Sequence, residues 1–287
     1  MIDLMLPALV AALVLVGIHA YLGIHIIARG VIFVDLALAQ LAAMGATAAT
    51  FLGFAGDSLP AYGIGVAATM LGAGIFSLGR FEHRYIDQEA IIGIVFVVAS
   101  AITILLAAQA PRGSEHVQEL LTGTLLWVTW PEIGLAALIY AAVGLVHWLL
   151  RDRFFTISLD PEEAERQGWR IRGWDFLFYA LFGLVVTVSV STAGVLLVFS
   201  FLVIPAVIAF LFTRNPGTLL PLAWSVGMLA ATVGIVTSFF SDLPTGPTVV
   251  CAFAVGLILA FGVRRVVGTR GPDAAGPAEG IATETAP

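Results

Sequence analysis

An all-α, polytopic membrane helix bundle is the fold class this sequence predicts, and three observations predict it. The first is composition: 60% of the 287 residues are hydrophobic and 11% are charged, with a mean hydropathy of +1.02. A soluble domain carries roughly 25% charged residues, so this chain has too few polar side chains to cover its own surface. The second is a succession of long apolar runs from Leu4 to Val263 with no soluble-looking block between them. A run of roughly 20 residues spans a bilayer as a helix, because only a helix satisfies its own backbone in lipid. The third is the placing of the basic residues, which fall in alternate connections between the runs.

Nine spanning helices are expected, at about 4–27, 31–53, 61–79, 90–109, 131–150, 174–190, 194–212, 218–240 and 247–263. Met1-Ile2-Asp3 lacks the basic start of a cleaved signal, so the first helix is expected to be retained. Ala28-Arg29-Gly30 turns the chain into the second, and residues 56–60, with Gly and Pro, turn it into the third. Ala68 and Gly72, four residues apart, mark close packing of the third helix. The charged stretch from Arg80 to Glu89 leads into the fourth. The next apolar piece, His116 to Val128, fits poorly as a full span, because counting it as one would invert every later connection. It is expected as a half-helix at the outer face, the kind of discontinuous piece that borders pathways in transporters. The sixth and seventh helices meet at Ser191-Thr192-Ala193-Gly194. There Thr187, Ser189, Ser191 and Thr192 either bond to their own backbone or face a passage. Residues 1–265 form one transmembrane domain, and 266–287, rich in Gly, Pro, Ala and acid, are expected to be a disordered tail.

Orientation follows from arginine. If the connection at Arg29 is cytoplasmic, so are those carrying Arg80, Arg84, Arg151, Arg153, Arg166, Arg170, Arg172, Arg214, Arg264, Arg265 and Arg270, and only Arg112 falls outside. The positive-inside rule then puts the N-terminus outside and the C-terminus in the cytoplasm. None of the thirteen basic residues is lysine, so the chain lacks the Gly-Lys-Ser/Thr of a nucleotide-binding loop and offers no basic patch to nucleic acid. Its single cysteine, Cys251, cannot form a disulfide or thiolate cluster within the chain. The absence of His-Glu-x-x-His, Gly-x-Ser-x-Gly and paired intramembrane aspartates argues against a membrane-embedded enzyme.

The longest polar stretch inside the membrane region, 151–168, carries helix punctuation. Asp160 is placed to cap a short helix that starts at Pro161, with Glu162 and Glu163 at its positive end, Ala164 continuing it and Gly168 ending it. Such an exposed helix is either a docking element or an ordinary amphipathic loop. Leu159-Asp160-Pro161-Glu162 through Ala164 and Gly168 resembles the coupling-helix motif of the ABC-3 permeases, the membrane subunits of bacterial zinc, manganese and iron ABC importers. Gly194-Val195-Leu196-Leu197-Val198-Phe199-Ser200-Phe201-Leu202-Val203-Ile204-Pro205-Ala206 resembles that family's Gly-Leu-Leu-Leu-Val-x-x-Leu-Leu-x-x-Pro-Ala segment. Ala90-Ile91-Ile92-Gly93-Ile94 and Leu120-Leu121-Thr122-Gly123 sit where the family has similar blocks, so the resemblance runs nearly to Arg265. It implies a homodimer around a central pathway in the bacterial inner membrane, with Pro205 kinking a pathway helix. It also implies a separate cytoplasmic ATP-binding subunit that docks the coupling helix and uses the ATP, and an extracytoplasmic substrate-binding protein. The chain itself would bind no cofactor, and its cargo would be a divalent metal: zinc, manganese or iron.

Ionisable groups at membrane depth are costly and therefore candidate functional residues. The first two helices offer His19, His25, Asp35 and Gln40. In an antiparallel pair turning at Arg29-Gly30, His25 lies level with Asp35 and His19 with Gln40, the two levels roughly 8–9 Å apart. Imidazole with carboxylate suits a divalent metal, and a His25–Asp35 bond that fixes the pair explains the same residues. Metal-carrying members of the family have an Asp-x-Leu-x-His run in the second helix. Aligned through Gly45, this sequence reads Leu36-Ala37-Leu38-Ala39-Gln40, with Asp35 one residue early, about 100° around the helix. Outside, Glu115, His116 and Glu119 are solvated loop charges or a cation-attracting mouth. An ion-coupled secondary transporter and a permease for a non-metal cargo are the rival readings; the first calls for an inverted repeat, and none is evident.

Overall fold

The computed structural model describes residues 2–56, 58–78, 87–109, 123 and 125–268. Every long element among them is an α-helix: α1 (Ile2–Arg29), α2 (Val34–Phe51), α3 (Leu59–Leu78), α4 (Gln88–Ala107), α5 (Trp130–Leu149), α6 (Arg151–Leu159), α7 (Pro161–Arg166), α8 (Ile171–Ala193), α9 (Val195–Phe212), α10 (Pro216–Ser241) and α11 (Thr245–Val267). Nine of these are long and apolar enough to cross a membrane, all but α6 and α7. They coincide with the nine runs read from hydropathy. Of the expected outer half-helix, the described part holds one 3-10 turn, Leu125–Trp127. The Glu115, His116 and Glu119 cluster lies outside the described residues, as does the expected tail beyond Gly268. Helix α11 runs on through Arg264 and Arg265 to Val267.

The spans sort into two groups. In the first, α2 packs against α3, α4 and α8, and α3 against α8; in the second, α1 packs against α9 and α10, α9 against α10 and α11, and α10 against α11. The span α5 and the short helix α6 bridge the groups, since each touches both α1 and α8. Lipid supplies no hydrophobic drive between helices, so close packing depends on small residues. A Cβ on Gly45 of α2 would lie 2.6 Å from the Gly65 Cα of α3, and one on Gly183 of α8 would lie 3.0 Å from Thr69 of α3. In the second group, a Cβ on Gly23 of α1 would collide with the Leu202 carbonyl of α9.

This arrangement corrects the antiparallel pairing expected for α1 and α2. The turn itself is as tight as expected: Gly30 has φ +70°, its N–H donates to the Ile27 carbonyl (3.1 Å), and the Val31 N–H donates to Ile26 (3.3 Å). Yet α1 leaves it to join α9 and α10, and α2 leaves it to join α3 and α4. Equal depth therefore does not bring His25 to Asp35. The choice of neighbour is made by side-chain fit far along each helix, as at Gly23 and Gly45, and not by the turn.

Candidate substrate pathway and coupling site

The four polar residues of the first two helices are divided among separate contacts. Asp35 stands in the first turn of α2, fully buried, and neither carboxylate oxygen has a hydrogen-bond partner among the described residues. Its position at the positive end of α2 gives the charge some compensation. Gln40, a turn and a half further on, donates from Nε2 to the Thr103 hydroxyl of α4 (3.2 Å), which in turn donates to the Ala99 carbonyl (2.8 Å). His19 bonds through Nδ1 to the Leu15 carbonyl of its own helix (2.8 Å) and meets the Tyr140 ring of α5 edge-on. His25 turns to α6, where Nδ1 lies 2.9 Å from the Ser158 hydroxyl. Among the described residues, no group of three or more His, Cys, Asp or Glu is close enough to hold a metal ion.

At the far end of α2 the hydroxyls near the α8–α9 junction bond mostly to their own helix. Thr187 donates to Gly183, Ser189 to Val185, and Ser191 and Thr192 to Val188. Thr187 and Ser191 also border a cavity of about 30 Å³ between α2, α3 and α8, room for one water molecule. The junction is a single residue, Gly194, whose φ of +78° an L side chain rarely adopts.

The densest polar contacts lie at the opposite end, where α1, α6 and α8 converge. Arg29 Nη1 approaches Asp175 Oδ1 at 2.6 Å, with the two side chains 5% and 1% exposed. Arg29 Nε donates to the Ser158 hydroxyl (2.9 Å), the same oxygen that His25 contacts. The guanidinium lies 4.0 Å over the Phe178 ring, an arrangement that suits its planar, delocalised charge. Beside it, His147 of α5 stacks on Phe154 of α6, centroids 4.3 Å apart, and its Nδ1 lies 3.3 Å from the Tyr21 hydroxyl. Helix α6 seats itself here through Phe154, Ile157 and Ser158, buried at i, i+3 and i+4.

From this corner the chain projects α7. Asp160 Oδ1 accepts from the Glu163 N–H (3.1 Å), Pro161 opens the helix, and Gly168, at φ +71°, closes it as the Trp169 N–H returns to the Ala164 carbonyl (3.1 Å). Ala164 is buried, whereas Leu159, Asp160, Glu162 and Gly168 are exposed. Among the described helices, α7 packs chiefly against α6.

The sequence profile of the ABC 3 transport family matches residues 1–264. The chain belongs to that family. A manganese transport system membrane protein, MntC, of Listeria innocua is 27% identical over 258 residues, covering 88% of each chain. The high-affinity zinc uptake system membrane protein ZnuB of Haemophilus influenzae is 25% identical over 264 residues, 91% of this chain and 98% of the relative. The chelated iron transport system membrane protein YfeD of Yersinia pestis is 26% identical over 254 residues, 88% and 83% of the two chains. Among solved structures, PsaBC from Streptococcus pneumoniae in complex with Fab shares the fold at a TM-score of 0.74 and 22% identity, over 89% of this chain and 90% of that one. An inward-facing metal-chelate type ABC transporter does so at 0.69 and 23%, over 90% and 84%. As an ABC 3 permease the chain is a multi-pass membrane component of an ABC transporter without an ATP site of its own, and not an enzyme.

The resemblance read from Leu159–Gly168 and Gly194–Ala206 thus names the right family. Sequence reasoning passed over Arg29, Ser158, Asp175, His147 and Tyr21. One signal was available: Asp175 stands near the start of an apolar run, where a carboxylate needs a cation, and Arg29 closes the first span as a basic residue in its last turn.

Proposed function

We propose that two copies of this permease line the pathway of an ATP-driven importer for a divalent metal, zinc, manganese or iron, and that each docks α7 into a separate cytoplasmic ATP-binding subunit. The observation that carries the reading is α7 itself: a capped helix, held chiefly by α6, at the arginine-rich end of a bundle without a nucleotide site. An extracytoplasmic binding protein would deliver the cargo at the opposite face, and the N-terminus would lie outside. Helix α4 is the most apolar span of the first group, yet Ile94, Val97, Val98, Ile102 and Leu105 are exposed in the single chain. We assign this face to the second copy, so that the passage runs beside Gln40 and Thr103 with Asp35 near its inner end. Pro205, buried in α9 where Gly227 of α10 leaves room for its ring, would give that helix a point to flex.

A second reading is favoured by the residues at 36 and 40. Leucine and glutamine stand where the family's metal carriers have aspartate and histidine, and a neutral amide is a weak ligand for a bare transition metal. A chelated metal, recognised by its organic shell, fits such a passage. The test is reconstitution of the permease with its ATPase and binding protein in liposomes. ATP hydrolysis and uptake are followed with Zn²⁺, Mn²⁺, Fe²⁺ and ferric chelates. Stimulation by a bare divalent ion supports the first reading, and stimulation by chelates alone supports the second. If none stimulates turnover, the metal assignment is wrong. A cysteine at position 162, in a Cys251→Ser background, that reacts with an impermeant reagent from outside intact cells would refute the orientation.

A further inference from the structure

We propose that Arg29, gripped by Asp175 and Ser158, is the joint that passes the displacement of the docked α6–α7 segment to α1. The inference rests on the docking role assigned to α7 above. Its first support is position. Arg29 belongs to α1, of the second helix group, and Asp175 to α8, of the first, so their 2.6 Å ion pair is stitched across the seam of the bundle. Ser158 adds α6 to the same knot, and it lies two residues from Asp160, the cap of α7. A push on α7 acts chiefly on α6. Besides the Arg153 guanidinium over the Trp174 ring, 4.8 Å from its centroid, α6 is tied to the spans, among the described residues, by the Ser158 hydroxyl shared by Arg29 and His25.

The second support is incomplete satisfaction. Arg29 Nη2, His25 Nε2 and His147 Nε2 are buried with no hydrogen-bond partner among the described residues. A half-satisfied buried network costs free energy, and a purely structural clamp would gain by completing it. Three spare nitrogens around one hydroxyl and one carboxylate are what a joint needs if it re-pairs when α6 shifts. Guanidinium suits this exchange, since its fork can hold Asp175 with one N–H while another changes partner.

The test compares uptake per ATP hydrolysed for the reconstituted permease–ATPase pair carrying Ser158→Ala or Arg29→Lys. Ser158→Ala removes the shared hydroxyl alone. Arg29→Lys keeps a cation for Asp175 but lacks the second arm to reach Ser158. Both leave α7 intact, so copurification with the ATPase should match wild type, and gel filtration with thermal melting checks the fold. The expected result is a loss of uptake per ATP of about tenfold in each variant, with ATP hydrolysis retained and no further loss in the double variant. An independent readout uses spin labels at positions 13 and 71, on α1 and α3, in a Cys251→Ser background. Their ATP-dependent distance change should vanish in both variants. Wild-type coupling in the folded variants overturns the joint, and so does a parallel loss of hydrolysis and uptake, which marks a merely structural knot. A wild-type permease that neither binds nor stimulates the ATPase overturns the proposed function instead.

Discussion

Replacing Asp35 by leucine should stabilise the protein and stop transport. The carboxylate is fully buried, and neither of its oxygens has a hydrogen-bond partner among the described residues. A buried polar group left without a hydrogen-bond partner costs about 1–3 kcal/mol, and more when it is charged. The positive end of α2, where Asp35 stands, returns about 0.3–1 kcal/mol. The difference, about 1–2 kcal/mol in favour of an apolar side chain of similar size, is the expected gain. In a large domain each kcal/mol moves the melting midpoint by about 2–4 °C, so the detergent-solubilised variant should melt several degrees higher than wild type. If its charge serves the passage, as proposed above, uptake in liposomes should fall by at least about tenfold, the equivalent of about 1.4 kcal/mol. A lower melting midpoint would refute the reasoning, since it would mean the carboxylate holds the fold together. Unchanged uptake in a stabler protein would place Asp35 outside the passage.

Two further substitutions probe packing and docking. Gly45→Ala sets a methyl 2.6 Å from the Gly65 Cα and 2.8 Å from the Ile64 carbonyl, both backbone atoms that cannot swing aside. Thermal melting should show a loss of about 1–3 kcal/mol, whereas Gly63→Ala, with nothing within 4 Å, should be neutral or slightly stabilising. Asp160→Ala removes the side-chain acceptor of the Glu163 N–H, worth about 1 kcal/mol at a helix start. Affinity for the ATPase should fall about fivefold with the bundle's melting midpoint unchanged, and a shift in that midpoint would show α7 to be part of the core.

How much of this was legible in the sequence depends on which force fixes each feature. The spans were legible because lipid enforces length and apolarity residue by residue. Helix α7 was legible because its punctuation, Asp160-Pro161 and Gly168, is local. Helix α6 was passed over because Arg151-Asp152-Arg153 reads as loop, although Phe154, Ile157 and Ser158 already carried the spacing of a helix with one buried face. The pairing of His25 with Asp35 failed for a different reason: a turn fixes depth, while neighbours are chosen by contacts such as Gly23 on Leu202. The ion pair joins residues 146 apart, and local pattern carries no information at that range.

The distribution of contact types across the bundle has a mechanical meaning. Between α2, α3 and α8 the backbones meet through Gly45, Gly65, Gly183 and Thr69. Such steric contacts have one good register, and sliding by a fraction of a turn brings a side chain into a backbone. These three helices therefore move as one body. Where the second group meets the first at the arginine-rich end, the contacts are Arg29–Asp175, Arg29–Ser158 and His25–Ser158, hydrogen bonds with unused nitrogens beside them. Hydrogen bonds are directional and exchangeable, so a shift that breaks one can make another at small net cost. On the proposal above, a first group locked by steric contacts, a second group joined to it at this end by re-pairable bonds, and a docking helix attached beside those bonds would together place the moving boundary along α1. That boundary sits next to α6 and runs the depth of the membrane, which is where a force applied at α7 has to arrive if the passage is to change its opening from one face to the other.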